Sequence, residues 1–191
     1  MMSIMARYKV GIQTRSRILA ATQDLLAEVG FEATTLKAIC DRAGIQSGSF
    51  YNLFRSKDEA VLSVLREAIA TVDPDPAGEG SDSIHDLVYA YVDFITGNTG
   101  MARVYLQLAA TAATTDERLR ARVVRHHQHR IRRFSEAIQR GDPDLSIYDA
   151  SYRAQMLIAS LNGLVLEWTI LPDFDFRKYA DALIAERAAQ G

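Results

Sequence analysis

Residues 14–62 read TRSRILAATQDLLAEVGFEATTLKAICDRAGIQSGSFYNLFRSKDEAVL, and this stretch decides the fold. Ile18, Ala21, Leu25 and Val29 recur at spacings of three and four, with Leu19, Thr22 and Leu26 widening the stripe, which is the period of an amphipathic helix. Gly30 ends that helix as a carboxyl cap. A second helix is predicted over Leu36 to Ala43, with Thr34 or Thr35 as its amino-terminal cap and Gly44 after it, and a third over roughly 46–54. Ala43-Gly44-Ile45 has the chemistry of a helix-turn-helix link: Gly44 can take the positive φ of a tight turn, and Ala43 is small enough for two helices to cross closely. The second helix of such a pair enters the major groove of DNA, with its amino-terminal residues at the base edges. Gln46, Ser47, Gly48 and Ser49 hold that place, where small side chains permit close approach and hydroxyls and an amide can bond bases or phosphates.

Outward from this core the helical period continues. A fourth helix is predicted from Ser56, which with Glu59 has capping-box spacing, and Val61, Val64, Leu65, Ala68 and Val72 form its apolar face. Asp73 to Ser83, with Pro74, Pro76, Gly78 and Gly80, is the most plausible seam. Beyond it the pattern repeats through Ile84 to Ile95 and Met101 to Ala112, then along a long helix that Thr114 and Glu117 cap and Gly141 stops. Ser146 caps the next helix, apolar nearly all round from Met156 to Ile170, as expected of a helix buried on several sides. A last helix carries Phe176, Tyr179, Leu183 and Ile184. No run alternates with period two, so the fold class is all-α, about nine helices, with a three-helix head (1–57, ordered from about 14) and a helical body (58–191).

Composition agrees with a globular chain, at 48% hydrophobic and 24% charged over 191 residues. Cys40 is the single cysteine, which excludes an intrachain disulfide and a four-cysteine zinc site and fits a reducing, cytoplasmic setting. No segment reaches the ~20 apolar residues of a membrane span, and no secretory leader is evident. The net charge of −2 conceals an asymmetry: residues 1–57 carry eight basic and four acidic groups, and the remainder fourteen and twenty. A +4 head on a −6 body points to a polyanion-binding head or, at that size, to a solvated face.

The 14–62 stretch resembles the amino-terminal signature of the TetR/AcrR family of bacterial transcriptional regulators, through Thr14-Arg15, Gly30-Phe31, Thr34-Thr35, Ile39, Ala43-Gly44-Ile45, Gly48, Phe50-Tyr51, Phe54 and Lys57. Gln46, Cys40 and Leu53 depart from residues common there. The resemblance implies a homodimer that binds a palindromic double-stranded DNA operator, most often as a repressor, and is released by a small effector in the carboxyl-terminal domain. By the same resemblance Thr35, Lys37, Tyr51 and Lys57 contact phosphates, while Ser47, Gly48 and Ser49, with Gln46 and Asn52, read bases.

In the body, Ala159, Ser160 and Gly163 let another helix pack closely, and Asn162-Gly163-Leu164 resembles a pattern of the family's dimer helix. With Tyr179 and Leu183 of the last helix they form the expected dimer interface. Tyr91, Phe94, Met101, Tyr105, Leu108, Phe134, Met156 and Trp168 are large residues on inward faces. With the polar His127, Gln155 and Asn162 they are the candidates for a mostly apolar effector site. Seven arginines with His126, His127 and His129 between Arg118 and Arg133 form either a solvated or acid-paired face or, through inward members, an anion site. No metal site or cofactor is expected. G-x-S-x-G, Walker A and H-E-x-x-H motifs are absent, so an enzyme is not expected. The alternative to a regulator is a helical interaction adaptor, which would require neither the hydroxyl tip nor the basic head.

Overall fold

The computed structural model describes residues 2–97, 99–111 and 117–188, and their side chains except at 2–7, 99, 108, 109, 111, 118, 119 and 186–188. Among the described residues there is no strand and there are nine helices: α1 (Met2–Ala33), α2 (Leu36–Ala43), α3 (Ser47–Tyr51), α4 (Lys57–Thr71), α5 (Ile84–Gly97), α6 (Thr99–Thr111), α7 (Glu117–Gly141), α8 (Ile147–Ile170) and α9 (Phe176–Ala188). Contacts divide the chain into two compact units, Met1–Ala68 and Ile69–Gly191.

In the first unit the apolar stripe of α1 is the buried one. Ile18, Leu19, Ala21, Leu25 and Leu26 pack with Ile39, Cys40 and Ala43 of α2, Phe50 of α3 and Ala60, Val61, Val64 and Leu65 of α4 to form the core. Val29, the last residue of the expected stripe, is 50% exposed. Gly30 follows it at φ +76° and ψ −179° and breaks the helix there. Thr35 caps α2, and Thr34 instead turns its hydroxyl back to the Gly30 carbonyl at 2.7 Å. The third helix is shorter than the periodicity suggests, because its last residues continue as turns with Leu53 and Phe54 both donating to the Phe50 carbonyl. At α4 the capping box closes one residue early: the Glu59 N–H donates to Ser56 Oγ at 3.2 Å, and the Glu59 carboxylate accepts from the Arg55 N–H at 2.9 Å.

In the second unit α8 packs along α7 and against α9, and α5 contacts α6, α7 and α9. The Ser146 cap of α8 accepts from the Asp149 N–H at 3.1 Å. An equivalent cap at α5, Ser83 with Asp86, escaped the periodicity reading. Thr114, expected to cap α7, lies outside the described residues. The seam from 73 to 83 is an ordered loop: the Asp75 carboxylate accepts from the N–H groups of Glu79 (2.9 Å) and Gly80 (2.6 Å).

One expectation is corrected. Helix α8 is not buried on several sides within the chain, since Tyr152, Met156, Leu166 and Ile170 are 66%, 46%, 52% and 62% exposed. Its buried face, Ala150, Ala154, Leu157, Ile158, Leu161 and Val165, packs against α7, α9 and α6, and the opposite face is left exposed among the described residues. No helix among the described residues is long and apolar enough to cross a membrane.

Candidate functional site

The turn before α3 is built by Gly44, at φ +61° and ψ +45°, where only glycine is unstrained. Its N–H donates to the Asp41 carbonyl at 3.2 Å, and the Ile45 N–H donates to the Cys40 carbonyl at 3.0 Å. Arg17 closes over the turn, donating through Nη2 to the Ala43 carbonyl and, at 3.1 Å, to the Gly44 carbonyl. Past this turn Gln46, Ser47, Gly48 and Ser49 are all exposed, and a Cβ added at Gly48 would meet nothing within 4 Å. Phe50 anchors α3 from beneath, fully buried and edge-on to Tyr51 at 5.9 Å, while Tyr51 is 58% exposed and Asn52 is exposed. Burial pushes the Cys40 thiol up, with the nearby Ser47 hydroxyl pulling the other way.

Thr35 and Lys37 sit exposed on α2. The Thr35 oxygen accepts from the Ala38 N–H at 3.1 Å, which occupies an acceptor lone pair and not the hydroxyl proton. Lys37 pairs with Asp41 at 2.7 Å, and this hydrogen bond raises the ammonium's pKa. Lys57 is also engaged within the chain. Its half-buried ammonium donates to the carbonyls of Phe31 (3.0 Å) and Thr34 (2.9 Å) and lies 4.5 Å from the Phe31 ring centroid, so it holds the end of α1. The basic head is also partly neutralised: besides Lys37, Arg15 pairs with Glu67 at 2.9 Å and Arg42 with Glu28 at 2.7 Å.

The second unit contains a cavity of about 120 Å³, walled by the end of α4 and the segment after it (Ile69, Val72, Asp73, Pro74), by α5 (Leu87, Ala90, Tyr91, Phe94), by Tyr105 of α6 and by α7 (His126, His129, Arg130, Arg133, Phe134). Four of the eleven candidates thus come together: Tyr91, Phe94, Tyr105 and Phe134. Asn162 stands behind them, its Oδ1 accepting from Tyr91 Oη at 2.9 Å and from Arg130 Nη1 at 3.3 Å. Met101 is buried away from the wall and Trp168 is half-buried off it; His127, Gln155 and Met156 are exposed. The Leu108 side chain lies outside the described residues. Burial pushes the Tyr91 phenol well up, so it stays a hydrogen-bond donor.

The comparisons with known proteins divide along the same line. Residues 18–64 match the family model for bacterial regulatory proteins of the tetR family. The transcriptional repressor KstR2 of Mycolicibacterium smegmatis is 43% identical over 53 residues, 28% of this chain and 26% of that protein. The chain thus matches about a quarter of the length of its curated relatives. Along nearly the whole chain, a transcriptional regulator from Rhodococcus sp. Rha1 superposes with a TM-score of 0.63 at 26% identity, covering 88% of this chain and 90% of that one. The similarity in sequence to tetR-family regulators thus covers residues 18–64, and the likeness along the rest of the chain is one of fold. The regulator FadR from Bacillus subtilis, solved in complex with stearoyl-CoA, shares the fold at a TM-score of 0.68 and 15% identity over 89% of this chain and 95% of that one.

The exposed face of α8 places Tyr152, Met156, Ala159, Gly163, Leu166 and Ile170 at alternating spacings of four and three. That is an apolar seam of the kind along which helices pair. Ala159 and Gly163 are exposed, and a Cβ at Gly163 would meet nothing within 4 Å. Ser160, Leu164 and Leu183 are half-buried; Tyr179 is 47% exposed and stacks on Phe174 at 4.5 Å. Of the arginine- and histidine-rich stretch that the sequence left open between a solvated or acid-paired face and an anion site, His126, His129, Arg130 and Arg133 line the cavity. A signal was present, since Arg130 lies four residues before Phe134 and therefore on its face of α7.

Proposed function

We propose that this chain is a ligand-responsive transcriptional repressor that binds a palindromic operator as a homodimer and is released by a small, mostly apolar effector. The observation that carries this reading is the exposed Gln46-Ser47-Gly48-Ser49 tip set on a glycine turn and a buried Phe50. In this reading residues 1–57 form the DNA-binding head, and 58–191 the ligand-binding and dimerisation domain. Thr35, Lys37 and Tyr51 contact phosphates, and Gln46, Ser47, Gly48, Ser49 and Asn52 read bases. Lys57 supports the end of α1 and offers at most one N–H to a phosphate. The α8 seam, with Tyr179 and Leu183, pairs two copies, because two heads must reach half-sites ~34–36 Å apart. The protein acts in the cytoplasm and has no catalytic activity of its own.

The effector occupies the cavity on α5, α6 and α7. Ile69, in the last turn of α4, belongs to its wall, so occupancy biases the helix that continues from the head and depopulates the DNA-competent state. The test is fluorescence anisotropy with labelled promoter DNA from upstream of its own gene, at 50 to 200 mM salt. Specific binding that weakens by orders of magnitude over that range is expected, since each phosphate contact releases a counterion. Failure to bind any such fragment would overturn the reading in favour of an adaptor.

A further inference from the structure

We infer that the cavity of the second unit is a receptor for a monoanionic carboxylate on a compact apolar body, with Arg130 as the residue that binds the headgroup. This rests on the ligand-responsive reading above and names the chemical class of its effector.

Arg130 is held in a fixed pose. Its Nη1 donates to Tyr105 Oη at 2.9 Å and to Asn162 Oδ1 at 3.3 Å. The guanidinium carbon lies 4.2 Å from the Tyr91 ring centroid and 5.6 Å from that of Phe134. Its Nη2 is buried and is the one buried side-chain nitrogen or oxygen among the described residues without a hydrogen-bond partner. A buried charge-bearing donor left open is costly unless something completes it.

The neighbouring charges do not complete it. Asp73, on the same cavity wall, is held by both Arg133 Nη atoms at 3.0 and 2.5 Å. Asp82, nearly inaccessible, is bridged by Arg133 Nε at 2.5 Å and Arg140 Nη2 at 2.5 Å. Two carboxylates therefore balance two guanidinium groups, and Arg130 remains as one uncompensated cation. No ion pair among the described residues includes it.

The missing partner is then defined by chemistry. It carries one negative charge, because a dianion would leave a surplus, and a carboxylate oxygen accepts from the open Nη2 as a charge-assisted hydrogen bond. Its body is apolar, to suit Leu87, Phe94 and Phe134. It is also small: the cavity is about 120 Å³, and a cavity of ~150 Å³ accepts benzene.

The experiment is isothermal titration of the full chain, without DNA, using the straight-chain acids from acetate to decanoate and phenylacetate, each against its primary amide. At least one acid should bind about tenfold or more tighter than its amide, the scale of a charge-assisted hydrogen bond. R130Q should bring that acid down to the level of its amide, and R130K should fall between. An amide that binds as well as its acid, an acid unaffected by R130Q, or a series in which no acid binds would each overturn the inference. Butyl phosphate binding more tightly than pentanoate would overturn the monoanion assignment. The acid and amide comparison on the natural protein needs no variant, so a misfolded R130Q leaves it decisive. Operator binding is measured separately: an acid-binding chain that ignores DNA refutes the regulator reading alone, and a DNA-binding chain indifferent to the acids refutes the carboxylate alone.

Discussion

Replacing Gly44 by alanine should destabilise the first unit by about 2 kcal/mol, through two effects that can be separated. An L residue in the left-handed region costs roughly 1–2 kcal/mol, and Gly44 lies there at φ +61°. The added Cβ would also stand 2.8 Å from Arg17 Nη2, too close to coexist. That nitrogen is the far end of a flexible side chain and can move, but moving breaks its bonds to the Ala43 and Gly44 carbonyls. Arg17 is exposed, so their loss adds about 0.5–1 kcal/mol. In an R17A background only the backbone term should remain, giving a coupling of about 0.5–1 kcal/mol in the double-mutant cycle. The chain's single tryptophan, Trp168, belongs to the second unit. The assay should therefore be native-state hydrogen exchange at α2 and α3 amides together with urea unfolding by circular dichroism. A G44A cost below about 0.5 kcal/mol would refute the left-handed strain, and strict additivity with R17A would refute the crowding.

Other outcomes follow from the same geometry. Ser47→Ala should change which operator an oligonucleotide library selects, whereas Tyr51→Phe should weaken all sequences alike; identical library profiles for S47A and the natural protein would remove Ser47 from base reading. Arg133 holds the Asp73 carboxyl below its usual range, so this pair stabilises above the unfolded-state pKa of about 3.9 and its contribution is lost as pH falls through the lower folded value. The stability gap between natural protein and D73N, read from thermal melts, should be constant above about pH 5 and close below pH 4; a gap independent of pH would contradict it. Ile170→Glu, on a face 62% exposed within one chain, should leave unit stability near normal and yield monomers in sedimentation experiments. An unchanged dimer would place the interface elsewhere.

How much of this was legible beforehand differs by element. Helix α2 could be read almost to the residue, because its determinants are local: a threonine cap, an apolar stripe and a glycine that alone tolerates the turn. The exposed tip of α3 followed from the same turn. The intrachain acceptors of Lys57 were not legible, because Phe31 and Thr34 lie more than twenty residues away. The large apolar candidates for the cavity divided in a way no periodicity encodes. Phe94 and Met101 are equally buried, yet only Phe94 faces the void.

Sequence by itself determined that this chain is helical, where α2 and α8 are capped, and that its first part carries a turn and tip suited to DNA, since caps, glycine turns and the 3.6-residue period act within a few neighbouring residues. Only tertiary structure decided which charges are neutralised. Among α7 arginines of identical chemistry, Arg133 meets Asp73 and Asp82 across some fifty to sixty residues of chain, and Arg130 meets two tyrosines, an asparagine and an open cavity. That difference comes from where the chain returns in space and from the cost of burying a charge without its counterion, and neither is written in local pattern.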